Sequence, residues 1–565
     1  MAEERRQSLM ELARTSDGRR SIVHDSEMTM DFLLTNLQTP AHRLPGRYQA
    51  LLFAALNSCM FIVVFNDLCT IFYAMEPSHS LCTPDAPALY SLPDNASVLF
   101  VNASRWMHIN QTADDPAGCA AFNALPPAEV QHCDRTMRHH FDLSPKITTL
   151  VSDWNLICGR LWRVNAATTV YFVGVMTGSI AFGYLADRFG RRNCITACYI
   201  GYLPLAVTLT FVPYYWLFLI MRYFLGFFVQ GLQSVCFVLL MEYCPPRYRE
   251  VLGGVQGSLN NFGIIVLSSI AYLAGHWRTI QLCLALLSVV ALAKPLVMKE
   301  SLRWLMVHNR TETAKDTARA ILKWNKLPVS PQLMSVLDRI SETLQAERRV
   351  QSNYTWVDCF RTPKIRLYTI VQSFLWFTTL FVYYGISFSI SNLSGSPYLN
   401  AILAAVAELP ACAIAVLVMR RFGRKPPLMA YYGLCGVLST AAGLLSFVGG
   451  DAVATVRTVV ILAARFCLVG SYAVVFLFGS ELFPTVIRNT AFGVCICCHT
   501  AGGVVCPQIL LLGQLVHEAV PFLVFGGCCL LSAGLVTTQP ETLHRPMPDT
   551  IEQVENPAPP PPPPP

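Results

Sequence analysis

Twelve stretches of about 20 mostly apolar residues, each long enough to cross the hydrocarbon of a bilayer as a helix, constrain this chain more than anything else in it. They lie at 50–73, 165–186, 194–212, 216–241, 251–274, 278–298, 366–391, 397–419, 427–448, 455–480, 489–513 and 518–538. Lipid offers the backbone no hydrogen-bond partners, so each stretch has to satisfy its own as a helix. Composition agrees: only 14% of the 565 residues are charged, against about 25% in a soluble domain. The expected fold is an all-α membrane protein of twelve transmembrane helices. A net charge of +7 is small for this length and gives no reason to expect nucleic acid. Neither a Walker motif nor a metal-ligand constellation is present in the sequence, so no enzyme activity and no cofactor or metal is expected.

Two hydrophilic inserts set the topology. The segment 74–163 follows the first span and carries the sequons at Asn95, Asn102 and Asn110 with four cysteines, Cys82, Cys119, Cys133 and Cys158. Sequons beside an even cysteine set suit a glycosylated loop outside the cell with two disulfides, for which three connectivities are open. The second insert, 299–365, holds twelve Lys/Arg against seven acids. With the basic clusters Arg188–Arg192 and Arg420–Lys425 it marks the cytoplasmic face by the positive-inside rule. The polar segment 1–47 contains no secretory signal, and an even number of spans places both termini inside. The remaining cysteines, Cys495, Cys497 and Cys498 among them, are expected to be small buried packers.

The chain is also duplicated. Asp187-Arg-Phe-Gly-Arg-Arg192 follows the second span, and Arg420-Arg-Phe-Gly-Arg-Lys425 follows the eighth, 233 residues later. Arg222 with Glu242-Tyr-Cys-Pro-Pro-Arg-Tyr-Arg249 is echoed by Arg465 with Glu481-Leu-Phe-Pro-Thr-Val-Ile-Arg488. Two parallel six-helix halves flanking a basic linker are the pattern of a transporter that alternates access around a site between them. The expected units are a segment 1–47, a six-helix bundle 48–298, a linker 299–365, a second bundle 366–538 and a proline-rich tail 539–565.

These motifs, with Glu300-Ser-Leu-Arg303-Trp304 and Pro540-Glu541-Thr-Leu, resemble those of the sugar-porter branch of the major facilitator superfamily. The large first loop, its closing Asp153-Trp-Asn-Leu-Ile-Cys158, and the stretch from Tyr383-Tyr-Gly-Ile to Asn392-Leu-Ser-Gly-Ser-Pro-Tyr-Leu are similar to the organic cation, anion and carnitine transporter family, solute carrier family 22. The resemblance covers about 48–543 and implies a multi-pass plasma-membrane protein moving small organic ions. The tail Pro559–Pro565 lies outside it and suggests a separate binding partner. Nothing in the sequence sets the oligomeric state.

Candidate roles follow from charge and position. Asp187, Arg188, Arg191, Glu242, Arg249, Glu300, Arg303, Glu481, Arg488 and Glu541 are expected to form a gating cluster that locks the halves on the basic face, with the second copy incomplete because Arg420 replaces its acid. A charge inside the bilayer is costly and usually serves a pathway, which singles out Asp67, Glu408, Arg465 and His499. Gln372, Trp376, Thr379 and Tyr383 fall on one helical stripe, and Arg465, Val469, Tyr472 and Phe476 repeat the spacing. The expected substrate contacts are Asp67, Gln372, Trp376, Tyr383, Glu408, Arg465, Tyr472 and Thr500, the aromatics offering faces to an organic cation. The resemblance places binding aromatics at Trp376 and Tyr383, and puts Thr500 where relatives tend to have the charged residue that selects substrate sign. Packing alone also accounts for an aromatic stripe, a pairing with Asn57 for Asp67, and a fixed ion pair with Arg465 for Glu408.

The leading expectation is a facilitative, polyspecific carrier of small organic cations or zwitterions, amine or carnitine-like, driven by the membrane potential. The competing ones are an organic anion exchanger of the same family and a non-transporting receptor that uses the glycosylated loop.

Overall fold

The computed structural model describes residues 47–75, four stretches of the following loop, and 148–556 with gaps, the longest at 290–297 and 343–354. Each expected span is helical over its described residues. They are α1 (Arg47–Leu68, continued by Thr70–Tyr73), α2 (Trp162–Phe189), α3 (Arg191–Thr208), α4 (Tyr215–Tyr243), α5 (Pro246–Ala274), α6 (Trp277–Val289), α7 (Pro363–Ser389), α8 (Pro397–Phe422), α9 (Lys425–Leu445), α10 (Asp451–Leu482), α11 (Arg488–Leu515) and α12 (Ala519–Val536). Eleven are long and apolar enough to cross a membrane, and α6 is the shorter twelfth, described only as far as residue 289. The boundaries have local causes. Pro363 and Pro397 occupy the first turns of α7 and α8, where a missing N–H costs nothing. Gly190 and Gly423, at φ +95° and +91°, make the corners between α2 and α3 and between α8 and α9.

The membrane part is helical, while the loop after α1 carries four short strands, β1 (Ser80–Pro84), β2 (Val98–Asn102), β3 (Arg105–His108) and β4 (Met137–Phe141), in the order β3-β2-β1-β4. β1 runs parallel to β2 and antiparallel to β4, pairing Cys82 with His139. Asn95, Asn110, Cys119, Cys133, Cys158, residues 1–46 and Pro559–Pro565 lie outside the described residues, as do the side chains of Cys82 and Asn102. The far end of the loop is pinned by its closing motif. Asp153 Oδ2 accepts from Trp277 Nε1 at 2.8 Å and pairs with Arg278 at 3.0 Å, and the Trp154 ring packs on Tyr215, Phe218 and Trp277.

Within the N-terminal half α2 and α4 pack closely, because a Cβ at Gly174 or Gly226 would run into the facing backbone at 2.1 or 2.2 Å. Between the halves α2 meets α11 and α5 meets α8. Toward the loop side this seam is sealed by hydrogen bonds from Asn165 to Gln514 (3.1 Å) and from Gln508 to Thr169 (2.8 Å), and by the Phe72 and Tyr398 rings stacked at 5.4 Å.

Candidate functional site

At the middle of the C-terminal half, Glu408 on α8 and Arg465 on α10 form an ion pair through Glu408 Oε1 and Arg465 Nε. Both are almost wholly buried, at 2% and 1% exposure. The guanidinium also donates to Ser387 Oγ at 2.6 Å and to the Tyr383 hydroxyl at 3.2 Å, and lies 4.7 Å from the centre of the Tyr383 ring. Desolvating two charges is affordable only when they pair and their remaining donors are used. The arrangement meets that condition, and it cancels the charge of Glu408.

Asp67 sits near the end of α1, and its carboxylate is divided between two tyrosines. Oδ1 accepts from Tyr171 on α2 at 2.5 Å, and Oδ2 from Tyr384 on α7 at 2.8 Å. Asn57 is engaged elsewhere, donating to the Phe53 carbonyl at 3.0 Å.

The stripe on α7 divides. Gln372 is buried and donates to Gln539 at 2.9 Å, and Thr379 is hydrogen-bonded with Tyr432 at 2.6 Å, so both face the interior of their own half. Trp376, 3% exposed, packs among Phe476, Phe492 and His499, and its carbonyl accepts from His499 Nδ1 at 2.9 Å. Tyr472, by contrast, is 46% exposed and stacks on His499 with ring centres 6.0 Å apart. Thr500 is buried and bonds back to the carbonyls of Ile496 and Cys497. Of the eight expected substrate contacts, Tyr383, Glu408 and Arg465 come together directly. Trp376 and Tyr472 join through His499, whereas Gln372 and Thr500 are absorbed by helix packing.

The gating residues form two clusters, one in each half, where a single inter-half lock was expected. In the first, Arg191 pairs with Asp187 at 3.0 Å and Glu242 at 3.1 Å. Glu300 accepts from the backbone N–H of Arg191 (2.8 Å) and Arg192 (3.2 Å), capping α3. In the second, Arg424 takes the place of Arg191 and grips Glu481 through Nε (3.0 Å) and Nη2 (2.9 Å), while Glu541 accepts from the N–H of Arg424 and Lys425 at 3.0 Å each. With Arg420 at the position of Asp187, Arg424 commits both nitrogens to one carboxylate. Burial works to raise the pKa of Glu541, but the N–H groups of Arg424, Leu543, Lys425 and Thr542 more than offset it and hold the carboxyl below its ordinary value. Arg188 points outward, donating to Tyr184 at 3.2 Å, and Arg488 Nε binds the Phe483 carbonyl at 3.2 Å. Arg303 is exposed near Glu242, and the side chain of Arg249 lies outside the described residues.

Comparison with known proteins decides what such an arrangement is. A family model described as "Sugar (and other) transporter" matches residues 145–552. Human organic anion transporter 3 is 29% identical over 516 residues, covering 90% of this chain and 92% of the relative. Organic cation/carnitine transporter 4 of Arabidopsis thaliana is 32% identical over 408 residues, covering 72% of this chain and 76% of the relative. The chain belongs to solute carrier family 22. The fold of this family member is that of the major facilitator superfamily: the inward-open xylose transporter XylE of E. coli superposes with a TM-score of 0.57 at 16% identity, covering 89% of this chain and 98% of XylE. It is accordingly a multi-pass membrane transporter and not an enzyme.

Sequence reasoning about this solute carrier missed three groups. Ser387 was hidden because a serine one helical turn beyond Tyr383 is unremarkable until Arg465 arrives from α10. Tyr171 and Tyr384 were missed as partners of Asp67, although Tyr384 stands inside the quoted Tyr383-Tyr-Gly-Ile motif. Glu555 was missed altogether: from the short helix Ile551–Glu555 it caps the start of α7, accepting from Lys364 N at 2.9 Å and Ile365 N at 3.2 Å.

Proposed function

We propose that this member of solute carrier family 22 carries small organic zwitterions and cations of the amine or carnitine-like type across the plasma membrane, with loop 74–163 outside and both termini in the cytoplasm. The observation that carries the reading is the buried Glu408–Arg465 pair. A lone cation has to displace Arg465 from Glu408, and a lone anion has to displace Glu408 from Arg465, each leaving a buried charge uncompensated at a cost of about 3–5 kcal/mol. A zwitterion replaces both partners at once: its carboxylate takes the guanidinium and its ammonium takes Glu408, beside the ring of Tyr383. A cation is favoured over an anion by the inside-negative potential, worth about 2.3 kcal/mol per charge at 100 mV. The two arginine–glutamate clusters on the basic face act in gating by keeping each half rigid as it swings.

The second reading, organic anion exchange, draws on the name of the anion-transporter relative and on Arg465, whose forked guanidinium suits a carboxylate. Uptake of radiolabelled carnitine, tetraethylammonium and a dicarboxylate in voltage-clamped oocytes, with and without sodium, separates the readings. The proposal expects carnitine-like zwitterions to be carried best, with tetraethylammonium entering as an inward current. Uptake of the dicarboxylate alone would replace it with the anion reading. Binding of a large protein ligand to the loop without uptake of any small ion would replace it with a receptor.

A further inference from the structure

Asp67 was expected to touch substrate, but its surroundings describe a different task. It belongs to α1, Tyr171 to α2 and Tyr384 to α7, so one carboxylate oxygen is held inside the N-terminal half and the other reaches into the C-terminal half. Both tyrosines are buried. The Tyr384 ring packs on Phe388 of its own helix and, across the seam, on Phe172 of α2, with ring centres 5.6 and 4.6 Å away. Behind Tyr171 lies Arg222, 2% exposed, its guanidinium 4.3 Å from the ring centre and within 3.3 Å of Thr70 Oγ1 and 3.4 Å of the Asn66 carbonyl. Arg222 is the sequence counterpart of Arg465 in the other half, yet among the described residues no carboxylate pairs with it. Its counter-charge, Asp67, stands on the other side of one tyrosine. The carboxylate thus has its charge compensation behind it, both oxygens occupied, and a partner across the seam. The same seam carries the Asn165–Gln514 and Thr169–Gln508 hydrogen bonds nearer the loop side.

We propose that Asp67 is a latch between the halves, which keeps the loop side closed by holding Tyr384 of α7, and that it sets how often that side opens instead of binding substrate. Opening there pulls α7 away from α1 and α2. The Tyr171 bond travels with the N-terminal half, so the Tyr384 bond is the one that has to break. A hydrogen bond to a charged group is worth enough to hold an equilibrium by about tenfold or more.

The test exploits the two hydroxyls. Thr168 on α2 is buried one turn from Tyr171 toward the loop side, on the wall of a narrow cleft that it shares with Asn165, Phe388 and Gln514, so a cysteine placed there reacts faster with a hydrophilic thiol reagent when the seam opens. In detergent-purified full chain carrying Thr168→Cys, with labelling of the parent's own cysteines subtracted, Tyr384→Phe removes the bond across the seam and keeps the ring. It is expected to speed labelling at least fivefold. Tyr171→Phe removes a bond of the same kind that never crosses the seam, and is expected to leave the rate within twofold. In uptake assays Tyr384→Phe should change the maximal rate and leave KM within twofold. Equal labelling of Tyr384→Phe and parent overturns the latch, as does equal acceleration by both tyrosine variants, which would mean general loosening. A tenfold rise in KM without faster labelling also overturns it and returns Asp67 to the substrate site. Labelling needs no substrate, so it stands or falls separately from the proposed cargo.

Discussion

Replacing Glu408 by glutamine isolates the charge at the centre of the C-terminal half. The guanidinium of Arg465 keeps Ser387 and Tyr383, which sit at 2.6 and 3.2 Å, so those hydrogen bonds cancel from the comparison. The carboxylate is lost, and breaking a buried pair by removing one member costs about 3–5 kcal/mol. Glutamine still offers Arg465 an amide oxygen, which returns about 1.5 kcal/mol as a hydrogen bond to a charged donor. The net loss is then about 1.5–3.5 kcal/mol, a factor of roughly 10–300 in stability. Arg465→Gln is expected to cost more, since Glu408 has no other described hydrogen-bond partner among the described residues. In Glu408→Gln/Arg465→Gln no charge remains, and a buried pair exchanged for neutral groups of similar size is often nearly neutral. The double variant should therefore be more stable than either single one, with the charge-dependent transport still lost. The assay is the temperature at which half the detergent-purified protein loses its monodisperse peak, measured for all four members of the cycle, beside uptake normalised to surface abundance. Additivity of the two singles within about 0.5 kcal/mol, or a double variant weaker than both, would refute the reasoning.

Three further outcomes are expected. Trp376→Ala empties a buried site and should lower stability by about 3–5 kcal/mol, visible as reduced surface abundance. Tyr472→Ala, at a half-open position, should leave abundance intact and raise KM. Gly190→Ala sets a side chain where φ is +95° and where its Cβ would meet Glu300 Oε2 at 2.4 Å; strain of about 1–3 kcal/mol plus a displaced cap should lower the melting temperature, with Gly423→Ala acting likewise through Glu541 at 2.7 Å. Glu541 has a depressed pKa when folded, so its stabilisation is complete above the ordinary carboxyl value of 4.5 and is lost as pH falls through the lower folded value. The stability gap between the parent and Glu541→Gln should be constant above pH 5 and shrink below the ordinary value; a gap that widened on acidification would contradict this.

The helices were legible because lipid rewards continuous apolar runs, and the paired corners because both copies of the Phe-Gly-Arg motif survive in the chain. The corner chemistry was partly legible too: Glu242 and Glu481 stand at similar distances from their motifs, 51 and 57 residues beyond the corner arginine, and each indeed meets that arginine. The sequence misled about which bodies are tied together, since spacing along a chain says nothing of whether an arginine turns to its own half or to the other. The same limit separated the residues of the α7 stripe. Gln372 and Trp376 are four residues apart, yet the boundary between the half's interior and the aromatic cluster runs between them. Asp67 was conspicuous as an acid among apolar residues, but its partners lie 104 and 317 positions away and carry no charge to announce themselves.

Glu300 follows α6 and Glu541 follows α12, and each returns to the corner made by the second and third helices of its own half. The end of a bundle is thereby stitched to its beginning. During synthesis this gives the N-terminal half a fastening that is complete as soon as residue 300 is available, before any of α7–α12 exists. The first bundle can close on itself without waiting for the second, and the second repeats the act with its own thread, so that the two meet as finished pieces.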